Sequence, residues 1–132
     1  MYYSTYSKPR KISNALMDSM VIFATDFLEI EEEVEIDFDD DFEGSCGWCT
    51  YDDGEIVIGI NPKLSKEQIC RTLFHELVHA KQYLKGELIS GVGLKPSRWF
   101  GVPYKGENYW DLPWEKEAYE TEDAMWDIFS NK

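Results

Sequence analysis

The chain has 132 residues, 43% hydrophobic and 15% aromatic, which is enough for one domain spanning 1–132 with a packed core. Its 26 acidic residues outnumber 13 Lys and Arg, and the net charge of −13 repels phosphate, so nucleic acid is not an expected partner. No apolar run approaches a membrane span, the opening "MYYSTYSKPRK" lacks a signal core, and three cysteines form no disulfide framework; a cytoplasmic, reducing location is expected.

The first element is a helix within residues 10–30, where Ile12, Leu16, Met20, Phe23 and Phe27 form an apolar stripe. In the acidic stretch that follows, Val34, Ile36 and Phe38 alternate with carboxylates. This reads as a half-exposed strand with a charged outer face, ended by an Asp-rich turn before Gly44. The acidic run does not fit the spacing of a calcium-binding EF-hand loop, so a solvated face is the simpler reading. Next comes a hairpin turning at Asp53-Gly54, with Ile56, Ile58 and Ile60 as the apolar face of its second strand.

Ser65 and Gln68 make a capping box, so the next helix begins near Lys66, and Gly86 is its natural stop. Ile69, Leu73, Phe74, Leu77, Val78 and Ala80 make it apolar over much of its circumference, as expected of a central, buried helix. Residues 86–112 combine five glycines with five large aromatics and show no clear period. Such a connection is often a binding loop, or it hides a short strand or helix. A last helix follows, with Asp111 near its cap and Pro113 in its first turn. Helices and hairpins in this order give an α+β class, with a small antiparallel or mixed sheet packed against the central helix and flanked by N- and C-terminal helices.

The central helix carries the only two histidines, in "LFHELVHAKQY". His75 and His79 are four apart and share one helical face, so both imidazoles can reach one ion. Glu76 stands beside that face, close enough to act on a water without ligating the metal. This is the chemistry of H-E-x-x-H: two nitrogens for zinc and a carboxylate general base.

A catalytic zinc usually takes three protein ligands and leaves one position open. No histidine remains, so the third ligand must be a carboxylate or, second to that, a thiolate. Glu117 is the first choice, because it shares a face with Trp114, Thr121, Ala124 and Ile128, which should pack inward. Glu115, on a face with Tyr119, Glu122 and Trp126, is the second. A buried salt bridge from Glu117 to Arg71 or Lys81 is the competing explanation.

The motif with a downstream Glu117 in a Glu-x-Glu-Ala context resembles the zincin metallopeptidases of the gluzincin kind. It is also similar to small phage-encoded zincin-like proteins and, more loosely, to SprT-like domains, which typically use a third histidine. The metzincin pattern is excluded, because its Gly and His positions hold Gln82 and Lys85. The resemblance covers mainly residues 56–84 and 111–124. It implies a zinc peptidase in which His75, His79 and Glu117 hold the metal and Glu76 is the base. It also implies a peptide or protein substrate along the free edge of strand Ile56–Ile60, and a second oxyanion donor among Tyr104, Tyr109 and Tyr119.

Two rival readings stand beside it. One is a catalytically silent zincin-like module whose acidic surface recruits a partner; the other is an acidic mimic of nucleic acid. Cys46-Gly47-Trp48-Cys49 matches a redox dithiol by letters alone. The residues after it read as strand and turn, not the helix that activates such a thiol, so ordinary hairpin cysteines are expected. Cys70, on the central helix, has no evident metal-binding partners.

Overall fold

The computed structural model describes residues 3–39, 46–91, 95–104 and 108–131. The Asp-rich turn expected before Gly44 lies outside them. The class is α+β. Strand β1 (Tyr3–Tyr6) leads to helix α1 (Asn14–Leu28) and strand β2 (Val34–Phe38). The hairpin β3 (Gly47–Asp52) and β4 (Glu55–Ile60) precedes helix α2 (Lys66–Leu84). Three short strands follow, β5 (Leu88–Ile89), β6 (Ser97–Trp99) and β7 (Val102–Tyr104), and helix α3 (Pro113–Ser130) ends the order.

The larger sheet has the order β1-β2-β4-β3, with β1, β2 and β4 parallel and β3 antiparallel to β4. Alternation in β2 buries Val34, Ile36 and Phe38, and β4 buries Ile56, Ile58 and Ile60 on the same side. These residues meet Met17, Met20, Val21 and Ala24 of α1, Leu73, Phe74 and Leu77 of α2, and Ala118 and Met125 of α3 in one core. On the opposite side, Trp48 lies so close over Gly59 that a Cβ there would come within 2.1 Å of the indole. A glycine is what lets the ring lie flat on β4.

Several expectations meet their local physics directly. Asp53 and Gly54 take φ of 50° and 82°, the left-handed pair a two-residue hairpin turn needs. Ser65 accepts from Gln68 N–H at 3.2 Å and the Gln68 side chain returns to Ser65 N–H at 3.3 Å, closing the capping box of α2. Gly86, at φ 72°, stops that helix.

Others need correction. β4 does not have a free edge, because β2 and β3 flank it on both sides; among the described residues the edge strands are β1 and β3, and β3 is the one that passes α2. The reason is the hairpin itself, which folds β3 back along the side of β4 that β2 leaves vacant. The buried face of α1 runs through Met17, Met20, Val21, Ala24 and Leu28, while Phe27 stays 43% exposed. Of the two readings open for residues 86–112, the hidden short elements are found, as the sheet β5-β6-β7 and a 3₁₀ turn at Tyr109–Asp111. Asp111 belongs to that turn, and Leu112 stands at the N-cap of α3 with no side-chain bond. No helix among the described residues is long and apolar enough to cross a membrane.

Candidate metal centre

α2 and α3 pack against each other, and the site lies on their seam. The seam side of α3 is Glu115, Ala118, Glu122 and Met125, all buried. The 3-4-3 spacing keeps them in one stripe. From α2 come His75, Glu76, His79 and Gln82, also buried.

Both imidazoles turn Nε2 toward one carboxylate oxygen. Glu115 Oε1 lies 3.2 Å from His75 Nε2 and 3.2 Å from His79 Nε2. The opposite ring nitrogens are already engaged. His75 Nδ1 lies 3.1 Å from Glu122 Oε1, and His79 Nδ1 lies 2.8 Å from Gln82 Oε1. Both partners are acceptors, so each Nδ1 carries its hydrogen and each neutral ring presents a lone pair at Nε2. Three acceptor atoms would thus face one another in a buried space unless a proton or a metal cation lies among them. His75, His79 and Glu115 form a cluster whose ligand atoms all lie within 4.8 Å of one another, and two nitrogens with a carboxylate oxygen suit a divalent metal.

The supports of the histidines are anchored in turn. Glu122 Oε2 accepts from Arg71 Nε at 2.8 Å, and Arg71 also pairs with Asp123. Gln82 Nε2 donates to the Trp114 carbonyl at 3.0 Å and to Glu117 Oε1 at 3.1 Å, which leaves its carbonyl for His79. Position 82, where the metzincin pattern has glycine, here holds a histidine in place.

Glu117 does not join the cluster. It accepts from Lys81 Nζ at 2.8 Å, the salt bridge that competed with its role as ligand, and Glu115 takes the place beside the histidines. The two residues are about 200° apart around a helix, so only one of them reaches the histidine nitrogens. The face expected to pack inward is largely outside: Ala124 is exposed and Ile128 is 48% exposed. The usable signal was Ala118 and Met125, seven apart, with Glu115 and Glu122 at matching spacing.

Charge follows this geometry. Burial lowers the pKa of His75, but its hydrogen bonds to Glu115 and Glu122 outweigh that and hold it at about 9. His79 is likewise raised, burial being outweighed by its bond to Glu115. For Glu115, burial is overcome by the bonds from His75 and His79, which bring it down to about 2. Glu122 is lowered in the same way by His75 and Arg71. Glu76 is raised by burial, against the pull of His79 and His75.

These directions set a pH signature. His75 is raised from 6.5 to about 9, so its stabilising contribution in metal-free protein is complete below pH 6.5 and lost as pH climbs through 9. Glu115, lowered from 4.5 to about 2, contributes above pH 4.5 and loses that as pH falls toward 2. Metal-free protein should therefore lose on the order of 2 kcal/mol between pH 6.5 and 9, counting the shared pair once, or roughly 8 °C in Tm. Bound metal replaces the protons, and the loss should vanish in thermal melts with saturating zinc. Identical pH profiles with and without zinc would refute the assignment.

Tyr119 packs its ring against His75 at a tilt of 57°, with centroids 4.4 Å apart. Tyr109 donates its hydroxyl to Glu115 Oε1 at 3.0 Å and lies 3.5 Å from the Tyr119 hydroxyl. Tyr104 instead packs edge-on against Trp114. The pKa of Tyr109 is strongly raised, first by burial and then by Tyr119 and Glu115, so it stays a donor.

Two cavities, of about 400 and 440 Å³, flank the cluster along β3 and share Gly47, His75, Glu76 and Tyr109 as walls. β3 crosses α2 closely here: a Cβ on Gly47 would come within 2.6 Å of the Gly59 carbonyl and 2.7 Å of Thr72 Cγ2. Cys46, Cys49 and Cys70 are free thiols. Along an extended chain, residues three apart are separated by about 10 Å and point to opposite sides, so Cys46 and Cys49 cannot form a disulfide in this fold. Burial, then the Glu76 charge, raises the Cys49 thiol, and burial pushes Cys70 up to about 12. Neither has the lowered pKa of a reactive thiol. Compared with known proteins, the chain matches no family model, no curated protein and no solved structure, so the reading of this site rests on its own residues.

Proposed function

We propose that the chain is a zinc-dependent peptidase of the zincin kind, with His75, His79 and Glu115 as ligands and Glu76 as general base. The observation that carries this reading is the convergence of two Nε2 atoms on Glu115 Oε1 while both Nδ1 atoms are engaged, with Glu76 buried alongside. When bound, zinc supplies the Lewis acidity that polarises a peptide carbonyl and acidifies water.

The chain's own groups do the rest. Glu76, whose raised pKa favours both taking and returning a proton, accepts one from the attacking water and delivers it to the leaving amine. Tyr109, held beside Glu115, turns its one hydroxyl hydrogen from that carboxylate to the developing oxyanion. Tyr119 braces His75 from the side. The substrate lies along the open edge of β3. Asn61 N–H donates to the Cys46 carbonyl at 2.9 Å, and alternation from that pair gives Trp48, Thr50 and Asp52 to β4. The backbones of Cys49 and Tyr51 then face outward, ready to pair with an extended peptide.

The test is zinc content together with hydrolysis of a broad peptide library. About one zinc per chain and turnover that chelation abolishes are expected. Protein that binds no metal after zinc-replete expression would remove the reading. One bound zinc with no turnover of any peptide would leave a metal-stabilised binding module instead.

A further inference from the structure

Two features of the cleft walls bear on which polypeptides it would take and where along them it would cut. The cluster residues His75, His79 and Glu115 all line one cavity, and a second of similar size continues from it across the shared walls Gly47, His75, Glu76 and Tyr109. A peptidase that trims termini needs a blind end with a charged group to hold the terminal ammonium or carboxylate. Among the described residues, the charged groups of the lining other than the base Glu76 are engaged elsewhere. Arg71, the guanidinium in one cavity, pairs with Glu122, Asp123 and Glu67. Glu122 spends one oxygen on His75 and the other on Arg71. Glu115 is taken by the histidines and Tyr109. The chain of a substrate can continue past the metal in both directions along β3, whose outer edge is open.

The surroundings also carry a sign. Between Ile12 and Pro62 there are 15 acidic residues and not one Lys or Arg, and β3 belongs to that stretch. Asp52 and Asp53 lie at the hairpin end of β3. Glu67, Glu122 and Asp123 surround Arg71 at the opposite end of the cleft. On the seam, Lys81 is offset by Glu87 and Glu117. A cleft in such a field concentrates positive chains and repels acidic ones, an effect that salt weakens.

We propose that this cleft cuts polypeptides internally, within extended segments whose Lys or Arg side chains flank the scissile bond on both sides. The inference rests on the peptidase reading above. It is tested with zinc-loaded full chain and internally quenched peptides that are acetylated at the N-terminus and amidated at the C-terminus. One set has Lys and Arg around a fixed central sequence, the other Asp and Glu, and unblocked versions serve as comparison. The blocked basic peptide should be cut at an internal bond, with kcat/KM at least tenfold above its acidic counterpart at low salt. The gap should narrow at high salt.

Cleavage confined to peptides with a free terminus would overturn the internal cut. Equal or reversed rates for the two charge sets would overturn the basic preference. A zinc-loaded protein that cleaves no peptide of any charge or end state is a different failure, since it removes the peptidase reading beneath.

Discussion

Glu76→Gln should keep zinc at full stoichiometry while hydrolysis falls by ~10²–10⁴ or more, the scale of a lost general base. The carboxylate is not among the three converging ligand atoms, so its amide counterpart leaves the cluster intact. What the amide cannot do is accept a proton from water. Stability should hold or rise slightly, because burial raises the Glu76 pKa, meaning that the fold disfavours its ionised form at neutral pH. Zinc analysis, melting curves and turnover of the blocked basic peptide on the same sample check all three. Full activity in the variant would end the case for Glu76 as base, and loss of zinc would make it a ligand instead.

Replacing the two neighbouring glutamates should have opposite consequences for the metal. Glu115→Ala removes the oxygen on which both Nε2 atoms converge, and zinc affinity should fall by more than ~100-fold, beyond what loss of an outer partner costs. Glu117→Ala removes a partner of Lys81 and one of the two acceptors of Gln82, whose bond to the Trp114 carbonyl still holds it against His79. Zinc should stay bound, with a stability loss of about 0.5–1 kcal/mol for a partly exposed pair. Zinc competition titrations on both variants measure the contrast. Retention by Glu115→Ala with loss by Glu117→Ala would restore the assignment that the helix pattern first suggested.

Glu117 stands outside the cluster for a reason specific to α3. Amphipathic reading takes the most apolar face as the inward one, and Trp114, Ala124 and Ile128 drew the inward side toward Glu117. The face that meets α2 carries two carboxylates instead. They are buried because their countercharges, His75 and Arg71, come from another helix. A polar stripe of this kind is invisible when α3 is read alone. The free edge was misplaced in a similar way. Both strands of the hairpin were legible, but that β4 would keep no open side depended on β2 docking against it.

The sequence by itself determined what local chemistry decides. The capping box at Ser65 and the glycine stop at Gly86 set the ends of α2, and Asp53-Gly54 set the turn between β3 and β4. The i,i+4 spacing placed His75 and His79 on one face, with Glu76 beside them. Tertiary structure alone decided the third carboxylate, the supports at Glu122 and Gln82, the tyrosine beside the cluster and the strand with the open edge. Each of these joins residues from different elements, often more than thirty positions apart. Helical period and turn chemistry act within one element, whereas a metal centre is closed by the packing of several.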